Sequence, residues 1–140
     1  MSLYKKEHPE YLRLALDSMI NQSVKPDEIV LVEDGPLTDE LYAVVEEYKD
    51  QLHIVVNKTN LGLGLALNEG LKDCKNELVA RMDTDDISKP DRCEKQIKRF
   101  EKMKKYWYCL RHHKKLTNKE SKKCKGCPSL SLTVTEENNE

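Results

Sequence analysis

The sequence predicts an α/β fold with a mainly parallel sheet flanked by helices. Short apolar, β-branched runs alternate along the chain with segments in which apolar side chains recur at helical spacing. This alternation indicates right-handed crossovers between parallel strands. Two of the strand-like runs end in acidic residues, as in sheets that bind ligands beyond the carboxyl ends of their strands. A chain of 140 residues is long enough for one ordinary domain.

The first predicted elements are a short strand and a helix. Residues 1–4 resemble the last residues of a strand, and a loose N-terminal segment is the alternative. Residues 9–22 carry one apolar stripe, and Pro26 ends that element. The stripe consists of Leu12, Leu16, Met19 and Ile20.

Two strands and two helices follow. Residues 29–32 form a β-branched run that stops at a Glu-Asp-Gly-Pro loop, in which Glu33 is expected to be a solvated charge. Residues 53–56 are the next predicted strand, and the third helix is entered through Asn60, Leu61 and Gly62. The apolar stripes are Leu41, Val44, Val45 and Tyr48 in the second helix, and Leu63, Leu67, Leu71 and Cys74 in the third.

The last predicted strand and helix flank an acidic loop. Residues 78–82 form the strand, and a helix with a proline in its first turn starts at residues 88–91. The stripe of this helix is Cys93, Ile97 and Phe100. The carboxyl ends of parallel strands meet at one edge, so we expect the acidic residues 33–34 and 83–85 to face the same crevice.

Composition and charge narrow the class of protein. The net charge is −1, from 24 basic and 25 acidic residues, so no nucleic-acid partner is expected. No apolar stretch approaches the ~20 residues that span a bilayer, and the first residues lack the apolar core of a signal peptide. We therefore expect a cytoplasmic protein with five reduced cysteines. A shift in composition near Tyr106 predicts a folded part at residues 1–105 and a divergent polar tail at residues 106–140.

The acidic loop has the composition of a divalent-cation site. Closely spaced Asp oxygens suit Mg²⁺ or Mn²⁺, which often share such ligands with substrate phosphates. An extended backbone would place Asp83 and Asp85 on the same side, while Asp86 would cap a helix or bond within the loop. The alternative is that the whole cluster only caps the following helix, since carboxylates favour helix N-termini.

Four segments in order carry a resemblance to a known family. They are SLYKKEHPEYLRLALDSMINQS, DEIVLVEDGP, NLGLGLALNEGL and ARMDTDDISKPDRCEKQ. Over about residues 2–103 the chain resembles the nucleotide-binding half of glycosyltransferase family 2, which has the GT-A fold, and within it the bacterial amylovoran-type exopolysaccharide branch. The resemblance implies sugar transfer from a nucleotide-diphospho-sugar, with a UDP-sugar expected, to a saccharide or lipid-linked acceptor in cell-surface polysaccharide synthesis. It also leaves open peripheral association with the inner face of the membrane.

The resemblance also implies roles for individual residues. Asp34 matches the position that recognises the base, and Asp83 and Asp85 match the D-x-D metal motif, Asp83 also counting among the donor-binding residues. Arg92 would bond back to the acidic loop. The other residues implied in nucleotide-sugar binding are Ser2, Tyr4, Glu7, Asn60, Gly62 and Asn68.

The chain departs from the family in two respects. Leu67 stands where many members carry Arg, and the resemblance stops near residues 104–105, before the acceptor-binding half and the general base. We therefore assign no catalytic residue and expect an incomplete fold with a poorly ordered C-terminal tail. The alternatives are a noncatalytic sugar-nucleotide-binding remnant and a zinc-stapled interaction module in the tail. The zinc ligands would be Cys109, His112, Cys124 and Cys127.

Overall fold

The structure, a computed structural model, describes residues 1–103, 107–109 and 114–116, with side chains up to residue 101. It contains two compact units, Met1–Glu94 and Lys95–Glu140. Within the described residues, no helix is long and apolar enough to cross a membrane.

A parallel three-stranded sheet is the centre of the first unit. The strands are β1 (Ser2–Leu3), β2 (Val30–Asp34) and β3 (His53–Asn57), in the order β1-β2-β3. Strand β2 lies in the middle and is buried along its whole length. The predicted α/β class with parallel strands is confirmed. The strand β2 extends two residues beyond the predicted end, so the acidic pair belongs to the strand and not to a loop.

Helices cover both faces of this sheet. Helix α1 (Pro9–Ile20) starts with a proline, and α2 (Asp39–Glu47) is capped by Thr38, whose side chain accepts a hydrogen bond from Leu41 N. A 3₁₀ turn, Lys49–Gln51, leads into β3. The predicted stripes of α1 and α2 form one core with Leu3 and Leu31 of the sheet. Because side chains alternate along a strand, the neighbours of Leu31 face the opposite side, where α3 (Leu63–Asp73) packs.

The buried face of α3 differs from the predicted stripe. Ala66 and Gly70 face the sheet, whereas Leu63 and Leu71 are 52% and 55% exposed. A Cβ atom at position 70 would lie 2.6 Å from Val32 Cγ2, so the helix backbone rests directly on the strand at this glycine. Small residues permit this close approach, and leucines on that face would hold the helix away from the sheet.

The strand predicted at residues 78–82 is not formed. Met82 is buried in the core, while Leu78 and Val79 are 44% and 49% exposed. The neighbouring strand β1 has two residues, which leaves few backbone groups for a fourth ladder. The segment therefore passes the sheet as irregular backbone.

The boundary between the two units falls within α4 (Arg92–Met103). This helix begins one residue after the predicted start at residues 88–91. In the second unit, β4 (Trp107–Cys109) pairs antiparallel with β5 (Lys114–Leu116). The rest of the predicted tail, including His112, Cys124 and Cys127 of the zinc hypothesis, lies outside the described residues, as does the side chain of Cys109.

Candidate functional site

The acidic loop and the carboxyl ends of β1 and β2 meet at one edge of the sheet. Thr84 is 3% exposed, and its Oγ1 donates a hydrogen bond to Ser2 O at 3.3 Å. Leu3 of β1 is in register with Glu33 of β2, so both strands end at this edge. The acidic loop is therefore attached to β1, the neighbour of β2, although the strand expected before the loop is absent.

Asp34 ends β2 and holds the segment that leads into α3. The Asp34 side chain is almost fully buried, with the residue 2% exposed. Its Oδ1 accepts hydrogen bonds from Asn57 Nδ2 and Leu61 N, both at 2.9 Å, and its Oδ2 accepts one from Gly62 N at 3.0 Å. Asn60 Nδ2 also donates to the backbone oxygen of Asp34 at 3.2 Å. We call these residues, Asp34 with Asn57, Asn60, Leu61 and Gly62, the Asp34 clamp.

Gly35 is required for the clamp to close. Its φ is +87°, and a Cβ there would lie 2.7 Å from Asn60 N. Any other residue would push the 57–62 segment away from β2. Gly62, the N-cap of α3, has a φ of +85° with open space around the position of a Cβ, so conformation alone favours glycine there.

Glu7, in the turn after β1, lies within electrostatic range of Asp83 and Asp85 of the acidic loop. Burial raises the pKa of Glu7, and the negative charge of Asp85 raises that pKa further. His8 partly offsets this rise, and Asp83 adds a smaller one. Glu7 is placed by a turn in which its N–H donates to Tyr4 O at 3.1 Å, and Tyr4 itself is 36% exposed. We call Glu7, Asp83 and Asp85 the carboxylate corner.

Arg81 supplies a cation to this corner. Its Nε and Nη2 each lie 3.0 Å from one oxygen of the Asp83 carboxylate, a bidentate ion pair. The two side chains are 59% and 39% exposed, and such pairs contribute at most ~1 kcal/mol. The arrangement compensates the Asp83 charge without locking the carboxylate in place.

Gln22 anchors the segment that follows the acidic loop. The residue is 3% exposed, and its Nε2 donates to Ser18 O and Lys89 O, both at 2.8 Å. Its Oε1 accepts from Cys93 N at 3.0 Å. Ser88 N donates to Ser18 Oγ at 3.0 Å. The end of α1 therefore fixes the chain between the acidic loop and α4.

Arg92 bonds back to the acidic loop, as predicted. Its Nη2 donates to Arg81 O at 2.6 Å, and its Nη1 donates to Ser88 Oγ at 2.9 Å and contacts Met82 Sδ at 3.1 Å. Residues on both sides of the carboxylates are thus held by one guanidinium group.

The solvent exposure of Asn68 and of Glu33 differs from what the sequence suggested. Asn68 is exposed and points away from the sheet, because it lies on the helix face opposite Ala66 and Gly70. It lines a shallow surface depression of ~540 Å³ together with Leu65, Glu69, Leu71 and Lys72. Glu33 is buried, with 6% exposure, and is not the solvated charge expected from the sequence.

Three residues of the site were missed by the sequence reasoning. Arg81 had a local signal, since it stands two residues from an aspartate. Asn57 and Gln22 had none, because their partners are distant in sequence and only the packing of β2, β3 and α4 brings them together.

The carboxylate corner offers oxygen ligands of the kind that divalent cations prefer. Among the described residues, no group of three or more His, Cys, Asp and Glu side chains is arranged to hold a metal ion alone. Mg²⁺ is usually bound by one or two carboxylates together with substrate phosphates, and for this mode the two aspartates on one edge are sufficient.

Comparison with known proteins gives a consistent family match. Residues 1–135 match the sequence model described as Glycosyl transferase family 2. The chain is 50% identical over 103 residues to the amylovoran biosynthesis glycosyltransferase AmsE of Erwinia amylovora, covering 72% of this chain and 39% of that protein. It is 52% identical over 99 residues to an uncharacterized glycosyltransferase of Haemophilus influenzae, covering 69% and 37%.

The name of a third relative states the donor and the acceptor of that protein. The UDP-Gal:alpha-D-GlcNAc-diphosphoundecaprenol beta-1,3-galactosyltransferase of Escherichia coli is 41% identical over 96 residues, which cover 67% of this chain and 35% of that protein. The matched region of this chain thus corresponds to less than two fifths of each of these relatives.

Proposed function

The chain belongs to glycosyltransferase family 2, and we propose that it binds the nucleotide-diphospho-sugar donor of a transferase for cell-surface polysaccharide. The parallel α/β sheet with flanking helices agrees with the GT-A fold of this family. The observation that supports donor binding best is that the Asp34 clamp lies at the carboxyl end of β2 and that Thr84 ties the acidic loop to the adjacent strand β1. In open parallel sheets this edge is where ligands bind.

Within this proposal, different residues at this edge of the sheet contact different parts of the donor. Ser2 and Tyr4 at the end of β1 lie beside the nucleoside, and the backbone at Asn60 and Gly62 lies beside the diphosphate and ribose. Asn68 is a weaker candidate than the sequence suggested, because it is exposed on the far side of α3. A UDP-sugar is the expected donor, in keeping with the name of the Escherichia coli relative.

We propose that Asp83 and Asp85 hold Mg²⁺ or Mn²⁺ when the donor is bound. The metal ion would stabilise the negative charge that develops on the departing diphosphate. Arg81 would give up its contact with one Asp83 oxygen at that point, which the exposed geometry of the pair allows at small cost.

The transfer step itself is assigned to no residue of this chain. An inverting transfer needs a general base within hydrogen-bond reach of the acceptor hydroxyl. We assign no acidic residue of this chain to that role. The proposal therefore concerns donor binding, with a saccharide or lipid-linked acceptor as the second substrate of the complete reaction.

Calorimetric titration with a UDP-sugar, with and without Mn²⁺, tests the proposal. We expect binding that Mn²⁺ strengthens. Asp85→Ala should weaken the Mn²⁺-dependent affinity by about tenfold or more, the equivalent of ~1.4 kcal/mol, because it removes one of the two carboxylates proposed to hold the ion. Asp27→Ala is the matched control, since Asp27 is exposed and precedes β2 at the opposite end of that strand. Equal binding by wild type and Asp85→Ala would contradict the metal assignment.

A product assay with a lipid-linked acceptor separates a transferase from a noncatalytic donor-binding protein. Donor binding without product formation would support the noncatalytic donor-binding protein. Product formation would identify the chain as an active transferase.

A further inference from the structure

The acidic loop is held in place by side chains and not by a strand. Residues 78–82, which lead into it, pair with none of the described strands, so no ladder of backbone hydrogen bonds fixes Asp83 and Asp85. Thr84 lies between these two aspartates, and its Oγ1 donates to Ser2 O of β1 at 3.3 Å. This bond ties the middle of the loop to the sheet.

A second tie follows four residues further along the chain. Ser88 N donates to Ser18 Oγ of α1 at 3.0 Å, and Ser88 is 9% exposed. Only residues 85–87 lie between the ties at Thr84 and Ser88. Such a span reaches ~10 Å at full extension, so it has little freedom when both of its ends are held. The position of Asp85 therefore depends on Ser18 as well as on Thr84.

Gln22 holds the chain directly after this second tie. Its Nε2 donates to Lys89 O at 2.8 Å, and its Oε1 accepts from Cys93 N at 3.0 Å. Ser23 N also donates to Pro90 O at 2.8 Å. Because Gln22 is 3% exposed, removal of its amide would leave the buried N–H of Cys93 without this acceptor. The carboxyl end of α1 thus fixes the backbone that follows the acidic loop.

We propose that Ser18 and Gln22 are positioning residues for the Mg²⁺ or Mn²⁺ that accompanies the donor. Each acts through the acidic loop, by fixing where Asp85 lies relative to Asp83, and neither contacts the ligand. This inference rests on the proposed function, because it deepens the metal site assigned there to these two aspartates. Buried polar side chains are costly unless they are hydrogen-bonded, and these two direct their bonds at the segment that follows the aspartates.

The Mn²⁺ enhancement of UDP affinity, defined as the ratio of the affinities in Mn²⁺ and in EDTA, tests this role by calorimetry. We expect Ser18→Ala to lower the enhancement about threefold and Gln22→Ala about tenfold, in keeping with the loss of one hydrogen bond and of several. The UDP affinity in EDTA should stay within about twofold of wild type, because the Asp34 clamp keeps its own hydrogen bonds in both variants.

Two further variants separate positioning from general damage to the fold. Ser18→Thr keeps a hydroxyl that can accept from Ser88 N, and it should restore the Mn²⁺ enhancement to within about twofold of wild type. Val44→Ala is the control for lost stability, because Val44 is fully buried in α2 and its truncation lowers the Tm. The Mn²⁺ enhancement of Val44→Ala should equal that of wild type.

Amide hydrogen exchange measured by NMR gives a readout that needs no nucleotide. In Gln22→Ala the Ser88 N–H should exchange about threefold faster or more, because the tie at Ser88 loosens when the backbone after it is released. Val44→Ala should not accelerate exchange at Ser88 by more than it accelerates exchange at Val32 in the centre of the sheet. An unchanged rate at Ser88 in Gln22→Ala contradicts the inference.

The outcomes of the titration are distinguishable. Failure of wild type to bind UDP overturns the proposed function, and binding that Mn²⁺ does not strengthen overturns the metal assignment, and either result removes this inference as well. If wild type shows the enhancement, an unchanged value in Ser18→Ala and Gln22→Ala contradicts the positioning role alone. An equal loss of UDP affinity in Mn²⁺ and in EDTA also contradicts it. If Gln22→Ala does not fold, the comparison of Ser18→Ala with Ser18→Thr decides.

Discussion

At the scale of single residues, Glu33 and Asp34 show how adjacent carboxylates acquire different roles. They follow one another in β2, and the alternation of the strand sends their side chains to opposite faces of the sheet. Asp34 meets three N–H donors there, whereas Glu33 lies beside Leu3 and Val56 of the neighbouring strands. Burial raises the pKa of Glu33.

The raised pKa of Glu33 predicts a pH-dependent gain in stability for Glu33→Gln. A carboxyl whose pKa is raised on folding stabilises the protein fully below its unfolded pKa, and this contribution is lost as pH rises through the folded pKa. Gln is neutral throughout, so we expect Glu33→Gln to raise the Tm by about 1–4 °C at neutral pH. The gain should disappear by pH ~3, more than one unit below the ordinary Glu pKa of ~4.3, where the acid is protonated in both states.

Thermal unfolding between these two pH values measures the effect, with Glu10→Gln as the control because Glu10 is exposed on α1. A gain for Glu33→Gln that persists unchanged at low pH would show that its cause is not the charge of Glu33.

At the scale of elements, α3 packs through its smallest residues. Ala66 and Gly70 face the sheet, and the leucines that gave the helix its apparent stripe lie largely outside it. Hydrophobic spacing identified the helix correctly but not its buried face. The leucines and the pair Ala66 and Gly70 both recur once per helical turn, so the spacing alone does not show which of the two sets faces the sheet. The absence of a Cβ atom at Gly70 lets the helix lie this close to the sheet.

Two glycine substitutions in α3 test this packing. Ala at position 70 would place its Cβ 2.6 Å from Val32 Cγ2, and overpacking of this kind costs ~1–3 kcal/mol, more than the ~0.5–1 kcal/mol gained by replacing a helical glycine. Gly70→Ala should therefore lower the free energy of unfolding. Gly64→Ala in the same helix meets no atom within 4 Å and should raise it by ~0.5 kcal/mol.

Chemical denaturation of both variants gives the two free energies. Stabilisation by Gly70→Ala of the same size as that by Gly64→Ala would mean that α3 does not rest on β2 at Gly70.

At the scale of the whole molecule, the candidate site lies entirely in the first compact unit. The Asp34 clamp and the carboxylate corner fall within Met1–Glu94, and so do Gln22 and Arg92, which fix the acidic loop. The second unit begins inside α4. Donor binding should therefore not depend on the chain beyond α4.

A shortened protein that ends at Met103, the last residue of α4, tests this independence. We expect its UDP affinity in Mn²⁺ to stay within about twofold of the full chain. Titration of both proteins with Zn²⁺ tests the zinc alternative. We expect that the full chain binds no more Zn²⁺ than the shortened protein. A large loss of UDP affinity on shortening would place part of the site beyond residue 103.

Much of the fold could be predicted because its signals are local. Spacing along the chain was sufficient for the helices α1 to α3 and for β2 and β3. Acidic residues after strand-like runs predicted the edge at which the candidate site lies. The strand predicted at residues 78–82 is not formed, for a reason that the local sequence does not show. A strand at residues 78–82 would need a partner strand for its hydrogen bonds, and β1 is only two residues long.

The sequence by itself determined the α/β class and the family, and it predicted that Asp34, Asp83 and Asp85 converge at one edge. The tertiary structure alone decided that the Asp34 carboxylate is satisfied by Asn57, Leu61 and Gly62. Periodicity and strand direction are properties of short segments and can be read along the chain. The donors that reach a buried carboxylate depend on the register of β3 against β2 and on the close approach at Gly35, which exist only when distant segments are packed together.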